Sequence, residues 1–425
     1  MKSSDPSEKP FFTLDISRLL SRAGALVPTG IDRVEFEYAR YLLASASERL
    51  EFAAMHPLGR FAPISFSMAA SFITELGRSW DLGENNSVRL KKLAFRLRSS
   101  ILVPRLDRNR SELLKKNQLN IYLLLSHHHL TRPSAIYAAL SRHKDTLFVP
   151  MVHDLIPLEY PEYSRPREQD YHLRRIATVV RFADAVLTPS KSVKNSLQDY
   201  FLRKNKTKTP IWVIPHGVHL QAMSIDNLTT STICELGEKP YFVFLSTIEA
   251  RKNHLLLLNI WRYLVEIHGA NAPKLVIVGK RGWENEQALD MLERCPALQD
   301  VVEEHNALPD ADVVRLLRGA RALLFPSFTE GFGLPLAEAL ALGTPVICSD
   351  IPVFREIGGD TAHYINPLDG MGWMRRIEEF SQMTNDEARA PNRANPRPGL
   401  HWDQSISEAL TQIENLATNR QTRSD

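Results

Sequence analysis

Short apolar runs recur along the chain, each closed by turn-forming residues and followed by material with the spacing of an amphipathic helix. Residues 11–16, 118–125, 146–152, 185–188 and 211–218 form the series in the first half, and 241–245 and 274–280 continue it in the second. An apolar stretch of this length without alternation predicts a strand covered on both faces, as in a parallel sheet. Strands separated by helical or loop segments predict α/β architecture. The run 30–43 predicts the first helix, after a long loop, and Ser190 is placed to cap another. Asp310 and Asp312 precede the amphipathic run 313–317, where capping accounts for them, and 405–416 predicts a closing helix. Residues 221–239 are polar and Ser/Thr-rich, which predicts a linker. The expected organisation is therefore one domain over 1–220, a second over 240–384, and a Pro/Asn/Arg-rich connector with a final helix over 385–425.

The segment 330–343, Glu-Gly-Phe-Gly-Leu-Pro-Leu-Ala-Glu-Ala-Leu-Ala-Leu-Gly, carries the most chemistry. Pro335 suits the first helical position, and Gly343 followed by Pro345 ends the helix about two turns later, so Glu338 is expected near its first turn. Gly331 and Gly333 leave the entering loop without side chains, and the backbone N–H groups and positive dipole end of the helix can receive an anion. Glu330 lies just outside that anion, in a loop where it is expected to contribute little to a core. An anion pocket flanked by two carboxylates suits a nucleotide sugar, with the diphosphate at the helix start and the glutamates on ribose and sugar hydroxyls. In 246–254, Ser-Thr-Ile-Glu-Ala-Arg-Lys-Asn-His, the adjacent Arg251 and Lys252 at a strand-to-helix connection suit a diphosphate, one as a planar fork and the other as a point charge.

Segment 330–343 resembles the EX7E motif of the retaining, GT-B-fold glycosyltransferases of family 4. Residues 320–329 and 344–350 resemble the strands that enter and leave that motif. The resemblance implies two Rossmann-like domains facing across a cleft, with Glu330, Gly331, Phe332, Gly333, Leu334, Glu338, Arg251 and Lys252 on the donor. The family commonly has an early Gly-Arg pair where this chain has Ser246 and Thr247; Arg251 is expected to take over that phosphate contact. Residues 152–161, Val-His-Asp-Leu-Ile-Pro-Leu-Glu-Tyr-Pro, resemble the family's HD segment, which implies that His153 faces the donor sugar and acts with Glu330 in catalysis. Residues 211–218 resemble the last strand of the first domain, with His216 and Gly217 lining the cleft. The loop before the first helix usually carries paired glycines near the acceptor; here Gly30, Asp32 and Arg33 are the acceptor-side candidates, beside a plain reading of Asp32 and Arg33 as cap and first-turn charge. The final helix is implied to pack on the first domain. The implied reaction is retaining transfer without a protein nucleophile, the enzyme orienting the substrates and stabilising the departing diphosphate. Likeness of 246–254 and 152–161 to mannosyltransferases makes GDP-mannose the first donor, and a saccharide or polyprenyl-linked saccharide in cell-envelope polysaccharide synthesis the acceptor. No cofactor and no metal are expected. A non-catalytic nucleotide-sugar-binding protein, or a phosphorylase or epimerase of the same fold, is the alternative.

Composition adds a few bounds. The 425 residues suffice for two domains of about 200 residues each. The chain is 44% hydrophobic and 24% charged, in the range of ordinary globular proteins. Three separated cysteines, Cys234, Cys295 and Cys348, disfavour a disulfide framework or a zinc site. The polar N-terminal residues lack the apolar core of a secretory signal, so the expected location is the cytoplasm, with a peripheral place on the inner face of the plasma membrane expected from the basic segment 89–116. His127, His128 and His129 alternate faces in extended chain and cannot easily share one metal. Between residues 89 and 116, ten Lys and Arg against Asp107 and Glu112 contrast with +3 for the whole chain. Leu90, Leu93, Leu97 and Ile101 recur beside those cations, the pattern of a helix lying on an anionic membrane and equally that of a solvated helix face packed on a core. Nucleic-acid binding is not expected, since only Phe95 offers an interleaved aromatic.

Overall fold

The computed structural model describes residues 9–84, 86–102, 119–143, 145–218, 239–394 and 399–421. The expected linker, apart from Lys239, and residues 103–116 of the basic segment lie outside them. The chain divides into two compact units, Met1–Leu155 with Gln169–His216 and Trp402–Asp425, and Ile156–Glu168 with Gly217–His401. Residues 156–168, expected in the first domain, thus group with the second.

In unit 1, strands β1 (Phe11–Asp15), β2 (Leu50–Met55), β3 (Phe61–Pro63), β4 (Asn120–Leu124) and β5 (Thr146–Pro150) form one sheet in the order β3-β2-β1-β4-β5. All neighbours are parallel except β2 and β3. Strands β6 (Val186–Thr188) and β7 (Ile211–Val213) pair in parallel, and a bridge from Met151 to Leu187 continues the series. β2 and β3 carried no signal in the sequence, because Glu51 and two alanines dilute the apolar run of β2. Pairing decides it: Glu51 sits in register with Thr13 and is buried. The long loop after β1 contains a short helix, α1 (Ser17–Ser21), followed by α2 (Gly30–Ser45), α3 (Phe66–Leu82) and α4 (Ser87–Ser100). Phe36 of α2 meets the buried Trp80 of α3 edge-on at 5.4 Å. The final helix runs over Trp402–Gln421. It is held in unit 1 by Ser405 Oγ donating to the Pro215 carbonyl at 2.5 Å, by Glu414 with Arg49 at 2.6 Å, and by burial of Ile406, Ala409 and Ile413.

Unit 2 is a six-stranded, all-parallel sheet of β8 (Tyr241–Leu245), β9 (Lys274–Val278), β10 (Val302–His305), β11 (Ala322–Phe325), β12 (Val346–Ser349) and β13 (His363–Ile365), in the order β10-β9-β8-β11-β12-β13. β10 and β13 are the edges. Their half-buried residues are polar enough to hide the strand pattern, as with Glu303, which pairs with Lys274 of β9 at 2.7 Å. Trp261 and Trp373, on the helices His254–His268 and Gly370–Gln382, fill the core. The stretch 385–401, expected as a connector, begins with the helix Asn385–Ala394. Ala388 there enters the core, and Arg389 donates to the carbonyls of Leu317 and Ala320 at 3.2 and 3.3 Å. Its proline and arginine content masks the helical period.

Both sheets reverse their strand order once, at β1/β4 in unit 1 and at β8/β11 in unit 2. In open parallel sheets, ligands bind outside the carboxyl ends of the strands at such a point.

Candidate functional site

In unit 2 the two strands at the reversal deliver the two motifs that the sequence singled out. β8 runs into the loop carrying Glu249, Arg251 and Lys252, and β11 runs into the loop carrying Glu330. Phe328 N–H donates to the Arg251 carbonyl at 2.9 Å, and Arg251 Nη1 donates to the Thr329 carbonyl at 3.0 Å, which ties the loops together. Gly279 allows the β8 loop to lie close, since a Cβ there would meet the Ser246 carbonyl oxygen at 1.8 Å. The result is a four-member ion cluster. Arg251 Nη1 contacts Glu330 Oε2 at 2.9 Å, Arg251 Nη2 contacts Glu249 Oε1 at 2.8 Å, and Lys252 Nζ contacts Glu330 Oε1. The Lys252 ammonium also lies 5.3 Å from the centre of the Phe325 ring, a cation–π distance.

All four side chains are largely shielded from solvent, so the charges set one another's protonation. Burial would raise the Glu330 carboxyl, but Arg251 and Lys252 outweigh it and hold the group at about 2. Glu249 is moved the other way, upward, by burial, against the pull of the same cations, and its Oε2 has no hydrogen-bond partner among the described residues. Burial first, and Arg251 second, lower the Lys252 ammonium. Glu249 was not singled out from the sequence, although it stands two residues before Arg251 in the same loop.

The helix after Glu330 spans Leu334–Ala341. It starts one residue earlier than expected, so Pro335 is its second residue and Glu338, half-buried, its fifth. Gly333 caps it with φ +113, and a Cβ there would stand 3.0 Å from Phe354 and 3.4 Å from Phe325. Phe332 turns into a small apolar cluster with Val218 and Ala337, against which Leu334 also packs. Gly333→Ala combines left-handed backbone strain with a tight contact, and is expected to lower stability by about 1–3 kcal/mol and to disturb the helix start. A chemical-denaturation midpoint equal to wild type would show that the glycine is not required.

Unit 1 gathers a different set. Asp15, at the end of β1, accepts from Ser17 N–H and from the Tyr122 hydroxyl, both at 2.8 Å. Asp32, an acceptor-side candidate, is fully enclosed: it pairs with Arg18 Nε at 2.5 Å and Arg22 Nε at 3.0 Å, and accepts from Thr29 N–H at 2.8 Å in a capping box. It thus makes the helix-capping contact that the plain reading expects. Gly30 opens α2 in an exposed position, and Arg33 lies half-buried one turn on. The sequence reading missed Arg18, Arg22 and Glu35 around this loop. Glu35 Oε1 accepts from Leu19 N–H at 3.1 Å, and burial, reinforced by Asp15, pushes its carboxyl up to about 8.

His153 follows β5 and is 6% exposed. Its Nε2 lies 2.7 Å from the Leu125 carbonyl, which can only accept, so Nε2 carries the proton and Nδ1 holds a lone pair. Burial holds its pKa at about 4, so the ring is neutral at neutral pH. His127 and His216 stand 5.7 and 5.8 Å from it between ring centres, and His172, 6.4 Å from His127, reaches the Asp154 carbonyl at 3.1 Å. His128 and His129 pair with each other instead, at 5.3 Å. Only His127 of the triplet joins the His153 cluster, a division that follows from the left-handed backbone at His129 and that spacing alone does not reveal. Asp310 and Asp312 occupy the first turn of the helix Asp310–Gly319, with Asp312 3.5 Å from Arg315.

Comparison with known proteins agrees with this architecture. The profile described as Glycosyltransferase Family 4 matches residues 75–222, and the profile described as Glycosyl transferases group 1 matches residues 234–394. The chain is 29% identical over 282 residues to the serotype-specific mannosyltransferase WbdA of Escherichia coli, covering 63% of this chain and 33% of that one. It is 26% identical over 261 residues to the O-antigen chain mannosyltransferase B of Escherichia coli, covering 58% and 68% of the two chains. The match thus spans about a third of the length of the first of these curated relatives. Among solved structures, the sucrose-phosphate synthase of Thermosynechococcus elongatus superposes with a TM-score of 0.60 at 15% identity, covering 97% of this chain and 100% of that one. The alpha,alpha-trehalose 6-phosphate synthase of Burkholderia multivorans does so with a TM-score of 0.60 at 10% identity, covering 98% and 100%.

Proposed function

The chain belongs to the GT-B glycosyltransferases of family 4, and from that membership we propose that it transfers a sugar, with retention, from a nucleotide-diphosphate donor to a saccharide acceptor. The observation that carries this reading is the ion cluster of Glu249, Arg251, Lys252 and Glu330 at the strand-order reversal of unit 2. In this cluster Glu330 pairs with both cations, and Glu249 pairs with Arg251 as well. A diphosphate entering beside the start of the helix Leu334–Ala341 offers more negative charge than one carboxylate and competes for them. Arg251 and Lys252 then turn to the diphosphate, and Glu330 is released toward the sugar hydroxyls. As the glycosidic bond to the diphosphate breaks, the two cations and the helix dipole stabilise the charge that develops on the leaving group. Glu338 is assigned to the ribose, and His153, through its Nδ1 lone pair, to a hydroxyl of the transferred sugar.

The proposed donor is GDP-mannose, on likeness to relatives named as mannosyltransferases, and the proposed acceptor is a saccharide or lipid-linked saccharide of cell-envelope polysaccharide at the inner face of the plasma membrane. Transfer is proposed to need no metal. A panel of nucleotide sugars tests this: GDP-mannose at 100 times its Kd is expected to add about 2.7 kcal/mol to the unfolding free energy, with other donors adding less. Stabilisation without transfer to any acceptor would replace the enzyme by a binding protein. Transfer abolished by EDTA would bring Asp310 and Asp312 back into consideration, and product of inverted anomeric configuration would remove the retaining assignment.

A further inference from the structure

We propose that the outer face of α4 is a docking surface for an anionic lipid bilayer. α4 packs on α3 and α1, and it does so through Leu90, Ala94 and Leu97, with Ile101 just past its end; none is more than 3% exposed. Leu90 and Leu97, expected to enter a membrane, are therefore committed to the core. The apolar residues left outside are Val88 at 66%, Phe95 at 71% and, in the turn beyond the helix, Leu102 at 39% exposure. Val88 and Phe95 are seven positions apart, which returns a helix to within about 20° of the same face. Lys92 lies between them on that face, and Arg89 and Arg96 follow each apolar residue directly.

The charge around this stripe selects the partner. α4 holds Arg89, Lys91, Lys92, Arg96 and Arg98 and no acidic residue. Of the five, Arg89 is partly offset by Glu75 of α3, 3.2 Å away, while Lys91, Lys92 and Arg96 are exposed. An exposed aromatic and an exposed valine ringed by cations match a bilayer interface, where headgroups supply the anions and the acyl boundary receives the rings and methyls. α4 also touches the loop that leads into Gly30: Lys91 covers Gly24, where a Cβ would meet Lys91 Cε at 2.3 Å, and Trp80 Nε1 of α3 donates to the Ala25 carbonyl at 3.0 Å. A docked α4 therefore brings that loop to the lipid surface, which suits a lipid-linked acceptor. That last step rests on the proposed function; the docking itself does not.

Co-sedimentation of the full chain with phosphatidylcholine vesicles, with and without phosphatidylglycerol and in the absence of any nucleotide sugar, is the test. Wild type is expected to pellet with the anionic vesicles only, and less so as salt rises. Lys92→Glu combined with Arg96→Glu should reduce partitioning by at least about 25-fold, since each surface cation contributes roughly fivefold. Phe95→Ser should reduce it several-fold and leave the salt dependence in place. These side chains are exposed, so melting should match wild type, and donor-induced stabilisation measured on the same variants reports separately on the nucleotide-sugar site. Wild type that stays in the supernatant, or a charge-reversed variant that melts normally and pellets equally well, overturns the proposal. So does a dimer in sedimentation velocity that Phe95→Ser dissolves while no vesicle binding is seen, which would make the face a contact between copies of this chain.

Discussion

Glu330→Gln is expected to lower sugar transfer by at least about a hundredfold, roughly 3 kcal/mol of transition-state stabilisation, while affinity for the bare nucleoside diphosphate stays level or rises. The two effects separate because the carboxylate both serves the sugar and competes for Arg251 and Lys252. Removing it frees the cations for phosphate. Arg251→Ala and Lys252→Ala should do the reverse, weakening diphosphate binding more than binding of the free nucleoside. The loop position of Glu330 suggested that its loss would leave stability untouched. Its side chain is 8% exposed and paired with two cations, and breaking a buried ion pair costs about 3–5 kcal/mol. With an amide in place and Glu249 still available to Arg251, the loss of stability should fall toward the lower end. Calorimetric titration and a transfer assay on the same preparations decide the matter. Wild-type turnover in Glu330→Gln would remove the residue from the chemistry, and equal loss of nucleoside and diphosphate affinity in the cation variants would assign the cluster to folding alone.

The second large effect is on pH. In unit 1, burial lowers His127, His153 and His216, with His153 at about 4 against an ordinary 6.5. Between those values the unfolded chain binds protons that the folded unit does not, so stability falls as pH drops from 6.5 toward 4. His153 alone accounts for about 3 kcal/mol at the end of that window. Glu35 acts in the opposite sense: its carboxyl, at about 8 when folded and 4.5 when unfolded, stays protonated in the folded unit, and that advantage is lost as pH rises from 4.5 to 8. Three histidines outweigh one glutamate below 6.5, whereas Glu35 acts alone above it, so the stability of unit 1 should peak near pH 6.5. Glu35→Gln should flatten the alkaline limb, worth about 2 kcal/mol between pH 6.5 and 8, and steepen the acid limb above pH 4.5, where Glu35 had opposed the histidines. Calorimetric melting across pH 4 to 8 measures both limbs. A curve level from 6.5 to 5 would mean that the histidines are protonated in the folded state.

Much of the donor region is legible residue by residue. Gly331, Gly333, Pro335 and the two glutamates specify a loop that opens onto a helix start, because each acts through local backbone geometry that neighbouring residues determine. The adjacent cations Arg251 and Lys252 are visible for the same reason. Their pairing with Glu330 is not, since 78 positions separate Lys252 from Glu330, and only the adjacency of β8 and β11 brings them together. Edge strands escaped notice where exposure permits polar residues, as in β10, and β2 escaped because its glutamate is buried by pairing and not by composition.

The basic segment marks the same boundary. Charge and the leucine period of α4 are properties of the chain, and they announce an amphipathic helix without saying which side meets the core. Packing against α1 and α3 assigns Leu90 and Leu97 inward and leaves Val88 and Phe95 outside. Asp32 is parallel: its position before a helix is sequence, but its enclosure by Arg18 and Arg22 depends on how α1 folds back on α2. By itself the sequence determined the parallel α/β architecture of two units, the donor-loop motif and its chemical character, because short apolar runs, glycine and proline act over a few residues. The tertiary structure decided which charges neutralise one another, which histidine of the 127–129 triplet joins His153 and which face of α4 is free, because each depends on contacts between residues far apart in the chain, where strand order and packing, and not local preference, bring the groups within reach.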